Sequence, residues 1–103
     1  MEIVFPNKKL LALYESGSGR HLRLEGRVVD SFFEVVAILE AAKDIHDLWS
    51  RPSLNFKRLQ GYKDRYSARL DRKWRLEMSI RWTDLTMTIG IIGLEEISNH
   101  YGG

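Results

Sequence analysis

Residues 65–78, RYSARLDRKWRLEM, combine closely spaced phosphate-binding side chains with a regular apolar pattern. The stretch holds four arginines and one lysine, and apolar residues alternate with polar ones on both sides of residues 71–73. A period of two is typical of β-strands, and a three-residue connection between two such strands predicts a hairpin. Because a guanidinium group grips phosphate oxygens in a bidentate way, this hairpin is a candidate polyanion-binding element.

The three-residue loop also predicts which residues face each other across the hairpin. It places Arg69 opposite Arg75 and Ser67 opposite Glu77. Like charges directly opposite on neighbouring strands are destabilising, so a bound anion, most simply a phosphate, accounts for the presence of both arginines. Two alternatives stay open: Glu77 lies where it can partly neutralise both arginines, and charges on an edge strand also prevent aggregation.

The charge distribution along the chain supports an anion-binding face. The 103 residues carry a net charge of only +2, but residues 51–82 hold ten Lys or Arg against three acids, a net charge of +7. Residues 1–50 have a net charge of −2 and residues 83–103 a net charge of −3. A basic block within an otherwise acidic chain indicates a polyanion partner more than general solubility.

Composition excludes several other classes of protein. The chain has no cysteine, which rules out disulfides and thiolate metal sites and fits a reducing compartment. The N-terminus lacks the long apolar core of a signal peptide, and no apolar run approaches the roughly 18 residues of a membrane span. His46 with Asp44 and Asp47 offers too few ligands for a metal site. We therefore expect one domain, residues 1–103, in the cytoplasm, with no metal and no cofactor.

Secondary-structure patterns predict an α+β fold. Asn7 and Gly17 mark the ends of a first helix, and apolar residues at spacings of three and four from Val28 to Leu39 mark a longer one. The other expected elements are a strand at 2–5, a loop or short helical turn at 45–53, and strands at 54–59, 65–70, 74–82 and 85–94. We expect an antiparallel or mixed sheet of four to five strands packed against two N-terminal helices, with the arginines on the sheet face opposite the long helix.

The hairpin resembles the central hairpin of the RelE/ParE superfamily of bacterial toxins. That pattern runs Leu-x-Gly, several polar residues, Tyr-Ser-x-Arg-Leu and then Tyr or Trp-Arg-Leu; here it reads LQGYKDRYSARLDRKWRL. The ending LEEISNHY and the long first loop are most similar to the HigB-like branch, the killer proteins of type II toxin–antitoxin addiction modules. The resemblance implies a RelE-like fold over the whole chain.

The resemblance also implies a function and a partner. Such toxins are typically mRNA interferases that cleave mRNA in the A site of the 30S ribosomal subunit and so inhibit translation. HigB-like toxins are held silent by a cognate helix-turn-helix antitoxin, which would here be HigA-like. The ParE branch inhibits DNA gyrase instead, and a non-catalytic RNA-binding domain is a further alternative, because a fold does not determine a function.

RNA cleavage through the 2′-hydroxyl needs a base, an acid and positive charge on the phosphorane-like transition state. Arg75 and Arg69 suit the charge but cannot act as a base, because the pKa of arginine exceeds 12. In the resembled family the C-terminal segment returns to the hairpin, which makes His100 and Tyr101 candidates for proton transfer or base stacking, although both could equally belong to an inert tail. Lys57 stands where HigB-like toxins often place a histidine. It could contact a phosphate, act as a base if burial lowers its pKa, or be an ordinary exposed lysine.

Other basic residues are candidate contacts to phosphate or ribosomal RNA. They are Arg58, Lys63, Arg65, Lys73 and Arg81. The chain departs from the RelE pattern in two places. Ser67 and Arg69 occupy positions on the first hairpin strand that are lysines in RelE-type toxins. The stretch GLEEISN is acidic or neutral where RelE has a basic residue before its C-terminal tyrosine segment. These departures leave the acid and base open, with Glu95 or Glu96 as further candidates for the base. On the long helix, Phe32 and Phe33 are expected in the core, and any that stay exposed would form an antitoxin-docking patch.

Overall fold

Five strands form one mixed sheet in the computed structural model, which describes residues 1–99. The strands are β1 (Glu2–Val4), β2 (Lys57–Arg58), β3 (Arg65–Arg69), β4 (Arg75–Trp82) and β5 (Gly90–Ser98); the α-helices are α1 (Lys8–Ser16), α2 (Gly26–Ala41) and α3 (Ile45–Trp49). The strand order is β1-β5-β4-β3-β2, with β1 parallel to β5 and every other pair antiparallel. The expected α+β fold with a mixed sheet and N-terminal helices is confirmed, and α3 is the short helical turn expected at 45–53.

The ends of α1 follow from its capping residues. The Asn7 side chain accepts a hydrogen bond from the backbone N–H of Lys9, and Gly17 ends the helix with a φ of 72°, where glycine carries no steric penalty. The Asn7 amide also donates to the backbone carbonyl of Glu95 at 2.7 Å. One residue therefore both starts α1 and fixes it to β5.

The apolar side of α2 packs over one face of the sheet. Phe32, Val36 and Leu39 of α2 are buried together with Leu76 of β4 and Ile92 of β5. Each such side chain contributes about 1.5–3 kcal/mol when it leaves water. The opposite sheet face carries the polar residues of β3 and β4.

The β3–β4 hairpin has the register expected from its three-residue loop. Arg69 pairs with Arg75 and Ser67 with Glu77. The Asp71 carboxylate closes the loop by accepting hydrogen bonds from the backbone N–H groups of Lys73 and Trp74, both at 2.8 Å. Burial raises the pKa of Asp71, but these hydrogen bonds and nearby positive charge outweigh it, so the pKa lies below its usual value.

Two predicted strand boundaries were wrong. The strand expected at 54–59 is only Lys57–Arg58, because Pro52–Leu54 forms a 3₁₀ turn and Asn55 is left-handed with a φ of 41°. The strand expected at 85–94 is Gly90–Ser98. Residues 83–89 form a loop instead, because the Asp84 carboxylate accepts hydrogen bonds from the backbone N–H groups of Thr88 and Ile89.

The strand β5 continues to Ser98 by way of a bulge. Glu77 pairs with Glu96, but the next residue, Met78, pairs with Leu94, so Glu95 is the extra residue. The hydroxyl of Ser79 donates to the Glu95 carboxylate at 2.6 Å. Among residues 1–99, no helix has the length and apolar character needed to cross a membrane.

Candidate functional site

A basic cleft lies where the β3–β4 hairpin turns. It has a volume of about 130 Å³ and is lined by Asn55, Lys57, Arg69, Asp71, Arg72 and Arg75. Four of these side chains are cations, and the single carboxylate, that of Asp71, already accepts two hydrogen bonds from its own loop. The cleft is therefore a site of net positive charge suited to an anion.

Arg75 is buried at the base of this cleft, with only 5% of its surface exposed. Its Nε donates to the hydroxyl of Ser67 at 2.9 Å, and its terminal nitrogen donates to the backbone carbonyls of Ser67, at 3.2 Å, and of Asn55. A buried guanidinium requires such acceptors, because burying a charge without partners is costly. These contacts fix the position of the Arg75 side chain.

The polar row around Arg75 is more buried than the alternation of residues predicted. Ser67 is fully buried and Glu77 is 7% exposed, although alternation places both on the polar face of the hairpin. The cause is a network within the sheet: Ser67 binds Arg75, and Glu77 forms an ion pair with Arg65 at 3.5 Å. The Glu77 carboxylate, which the sequence places where it can partly neutralise Arg69 and Arg75, thus also pairs with Arg65.

Arg69 is the exposed member of the facing pair. Among the described residues it makes no side-chain hydrogen bond or ion pair, so its donors point to the cleft or to solvent. The Ser67 hydroxyl and two backbone carbonyls accept hydrogen bonds from Arg75. Arg69 is therefore the member of the pair with donors left for a ligand.

The other predicted contact residues are only partly brought together. Lys57 lines the cleft and lies opposite Ser67. Arg65 lies on the same face of β3 as Ser67, opposite Ser79 of β4. The exposed Arg81 lies two residues further along β4, opposite Ile91.

The remaining predicted residues lie away from the cleft or outside the described residues. Arg58 lies opposite Tyr66, so its side chain leaves β2 on the face away from Lys57. Lys63 and Lys73 are exposed residues of the two turns that flank β3 and do not line the cleft. His100 and Tyr101 lie outside the residues that the structure describes.

Three residues of the cleft were not predicted from the sequence. Arg72 and Asp71 belong to the hairpin loop, and Asn55 lies 20 positions before Arg75 in the chain. The loop length was a signal for the first two, because a three-residue connection places its side chains beside the last strand pair. Asn is one of the few residues that adopts a left-handed backbone readily, but this signal gives no contact partner.

No group of three or more His, Cys, Asp or Glu side chains in residues 1–99 is placed to hold a metal ion. The cations of the cleft are a fixed guanidinium, an exposed one, a loop arginine and a lysine around a small concave surface. Such an arrangement binds a phosphate and stabilises extra negative charge on it.

Comparison with solved structures finds a protein described as the YoeB/ParE toxin from Agrobacterium tumefaciens. The TM-score is 0.56, and the alignment covers 98% of this chain and 100% of that one. The chain has the fold of that toxin. At 13% identity the likeness establishes the fold alone, and it does not distinguish the HigB-like branch. No protein-family model and no curated protein sequence matches the chain.

Proposed function

We propose that the chain is the toxin of a type II toxin–antitoxin system and acts as a ribosome-dependent mRNA endonuclease. The observation that carries the proposal is the shared cleft of Arg69 and Arg75, with Lys57 beside it, on the fold of a YoeB/ParE toxin. The hairpin motif of the RelE/ParE superfamily points to the same class. An mRNA interferase with this cleft would inhibit translation in the cytoplasm and would need no cofactor.

The cleft supports cleavage through charge that is already in place. In the proposed reaction the 2′-oxygen forms a bond to phosphorus, and the 5′-oxygen leaves with a proton, giving a 2′,3′-cyclic phosphate. Arg69 contacts the phosphate oxygens, while Ser67 and Asn55 hold Arg75 ready for the additional negative charge of the transition state. Removal of one such preorganised donor typically costs about 10²–10³ in kcat.

Proton transfer needs a group that can change its charge. Among the predicted residues that line the described cleft, Lys57 is the candidate base, because the arginines keep their protons. His100 and Tyr101 complete the proposal as candidate acid and base on the ground of the family resemblance. Glu95 is less suited, because its carboxylate accepts the hydrogen bond of Ser79.

Gyrase inhibition is the second candidate function. One observation favours it: the name of the structural neighbour includes ParE. A basic cleft can bind a partner without any bond being broken. The same reasoning applies to a non-catalytic RNA-binding domain.

A short induction experiment separates these functions. Wild type, Arg69→Ala and the exposed control Arg20→Ala are each expressed briefly, and then transcript 5′ ends and plasmid supercoiling are measured. The proposal expects new 5′ ends within translated codons for wild type and Arg20→Ala, and their loss for Arg69→Ala. Loss of supercoiling with intact transcripts would support gyrase inhibition instead. Arg69 is the better test position than Arg75, because replacing the buried Arg75 also removes three hydrogen bonds.

The proposed partner is a cognate HigA-like helix-turn-helix antitoxin, encoded by an adjacent gene. Phe32 is fully buried, and Phe33 is partly buried against Tyr14, with ring centroids 5.7 Å apart. Phe32 is thus a core residue, as expected, whereas Phe33 keeps part of its surface exposed beside the exposed Tyr14. Co-purification of the two gene products tests the partnership.

A further inference from the structure

We propose that Tyr62 is a base-stacking residue, on which one base of a single-stranded RNA packs when its backbone occupies the basic cleft. This inference rests on the proposed function, because it takes RNA as the ligand. Tyr62 lies in the turn between β2 and β3, outside the residues that line the cleft.

The Tyr62 ring is exposed yet held in place. The residue is 58% exposed, and the guanidinium carbon of Arg65 lies 5.3 Å from its ring centroid. The turn itself is closed by a hydrogen bond from the backbone N–H of Leu59 to the carbonyl of Arg65 at 2.8 Å. Positive φ angles at Gly61 and Asp64, of 84° and 53°, set its path. A ring ordered in advance loses little entropy when a ligand binds.

Arg65 supports the ring from the polar face of the sheet. Its side chain is 23% exposed and pairs with Glu77 at 3.5 Å, while its Nε is buried with no hydrogen-bond partner among residues 1–99. A cation over an aromatic ring is a favourable contact. A single guanidinium covers at most one of the two ring faces, so the exposed surface of Tyr62 is available to a flat, apolar partner such as a base.

The position of Tyr62 relative to the cleft matches a short single strand. Arg65 and Arg69 lie on the same face of β3, and four residues of strand separate them by about 13 Å. Lys57, opposite Ser67, lies between the two arginines. Proteins that bind single-stranded nucleic acid combine such a cationic track with aromatic side chains on which bases stack.

The test is the affinity for a fluorescent 2′-O-methyl RNA hexamer, which cannot be cleaved through its 2′-oxygen. The variants are Tyr62→Ala and the matched control Tyr62→Phe, which keeps the ring. Stacking of one base is worth about 1–3 kcal/mol, so Kd is expected to rise about 5- to 150-fold in Tyr62→Ala and to stay within about twofold in Tyr62→Phe. Because Tyr62 is exposed, neither change removes a core contact.

Two further measurements identify the loss as stacking. The slope of log K against log salt should be unchanged in Tyr62→Ala, whereas Lys57→Ala should reduce it by about 0.7. A hexamer with one abasic position, moved along the strand, should at one position weaken binding to wild type and leave binding to Tyr62→Ala unaffected.

The outcomes separate this inference from the proposed function. If wild type binds the hexamer, Lys57→Ala weakens binding and Tyr62→Ala does not, the stacking role is refuted and the RNA-binding cleft stands. If Tyr62→Ala binds the hexamer more weakly as described, but transcripts stay intact in cells that express wild type, the stacking role stands and the nuclease is refuted. Absence of hexamer binding by wild type at low salt overturns the stacking role.

Discussion

Replacing Ser67 by alanine tests the positioning of Arg75 most sharply. Ser67 is fully buried, and its hydroxyl oxygen accepts the hydrogen bond of the Arg75 Nε at 2.9 Å. The substitution removes the acceptor and leaves a charged donor facing a methyl group. A hydrogen bond to a charged group contributes about 1.5–3 kcal/mol, so we expect the free energy of unfolding to fall by this amount.

Thermal unfolding followed by circular dichroism measures the effect. For a domain of this size, 1 kcal/mol corresponds to a Tm change of about 4–8 °C, so Ser67→Ala should lower Tm by about 6–24 °C. The control is Ser53→Ala, an exposed position where the change should stay within about 0.5 kcal/mol. Ser67→Ala should also slow RNA cleavage at temperatures where it is fully folded, because Arg75 is no longer held in one orientation.

A small effect would refute this reasoning. If Ser67→Ala lowers Tm by no more than the Ser53→Ala control, the Arg75 Nε does not depend on the hydroxyl. If Tm falls as expected but the cleavage rate of the folded variant is unchanged, Ser67 supports the fold and not the chemistry.

Three further predictions concern the backbone at the cleft, at the start of β5 and in the loop before β5. Asn55→Ala should lose about 1 kcal/mol relative to Asn55→Gly in urea unfolding, because alanine is strained at a φ of 41° and both variants keep the carbonyl that binds Arg75; equal stabilities would contradict it. Gly90→Ala should destabilise by about 1–3 kcal/mol, since its Cβ would lie 2.7 Å from the carbonyl oxygen of Arg81, whereas Gly26→Ala, with open space around it, should not destabilise; a stable Gly90→Ala would show that β5 can shift. Hydrogen bonds, first that of the Thr88 hydroxyl, hold the pKa of Asp84 well below its usual range, so stability from this loop is present above about pH 4 and is lost as pH falls further; in acid titrations Asp84→Asn should lose less stability below that pH than wild type, and parallel curves would contradict the assignment.

The hairpin was predictable because its determinants are local. Alternation fixed which residues of β3 and β4 share a face, and a loop of three residues fixed the pairing of Arg69 with Arg75. The capping residues of α1 are local in the same sense, since Asn7 bonds to a backbone group two positions away. The mixed sheet followed less directly, through the resemblance to a known toxin fold.

The burial of Ser67, Arg75 and Glu77 was not predictable, because it depends on contacts between residues far apart in the chain. Alternation shows that Ser67 and Arg75 lie on the polar face, but not that the carbonyl of Asn55 meets Arg75 there. The start of β5 was missed for a different reason. The β-rich composition of residues 85–89 suggested a strand, but the Asp84 side chain accepts hydrogen bonds from backbone N–H groups that a strand would use. The roles of His100 and Tyr101 remain predictions.

The most direct measurement is cleavage of mRNA on purified, programmed ribosomes by wild type and Arg69→Ala. We expect wild type to cut the mRNA only when it is ribosome-bound, to leave a 2′,3′-cyclic phosphate, and to be blocked by a 2′-O-methyl group at the cut site. Arg69→Ala should be slower by about 10²–10³. Cleavage by Arg69→Ala at the wild-type rate, or intact mRNA with wild type under these conditions, would contradict the assignment of the cleft as a nuclease site.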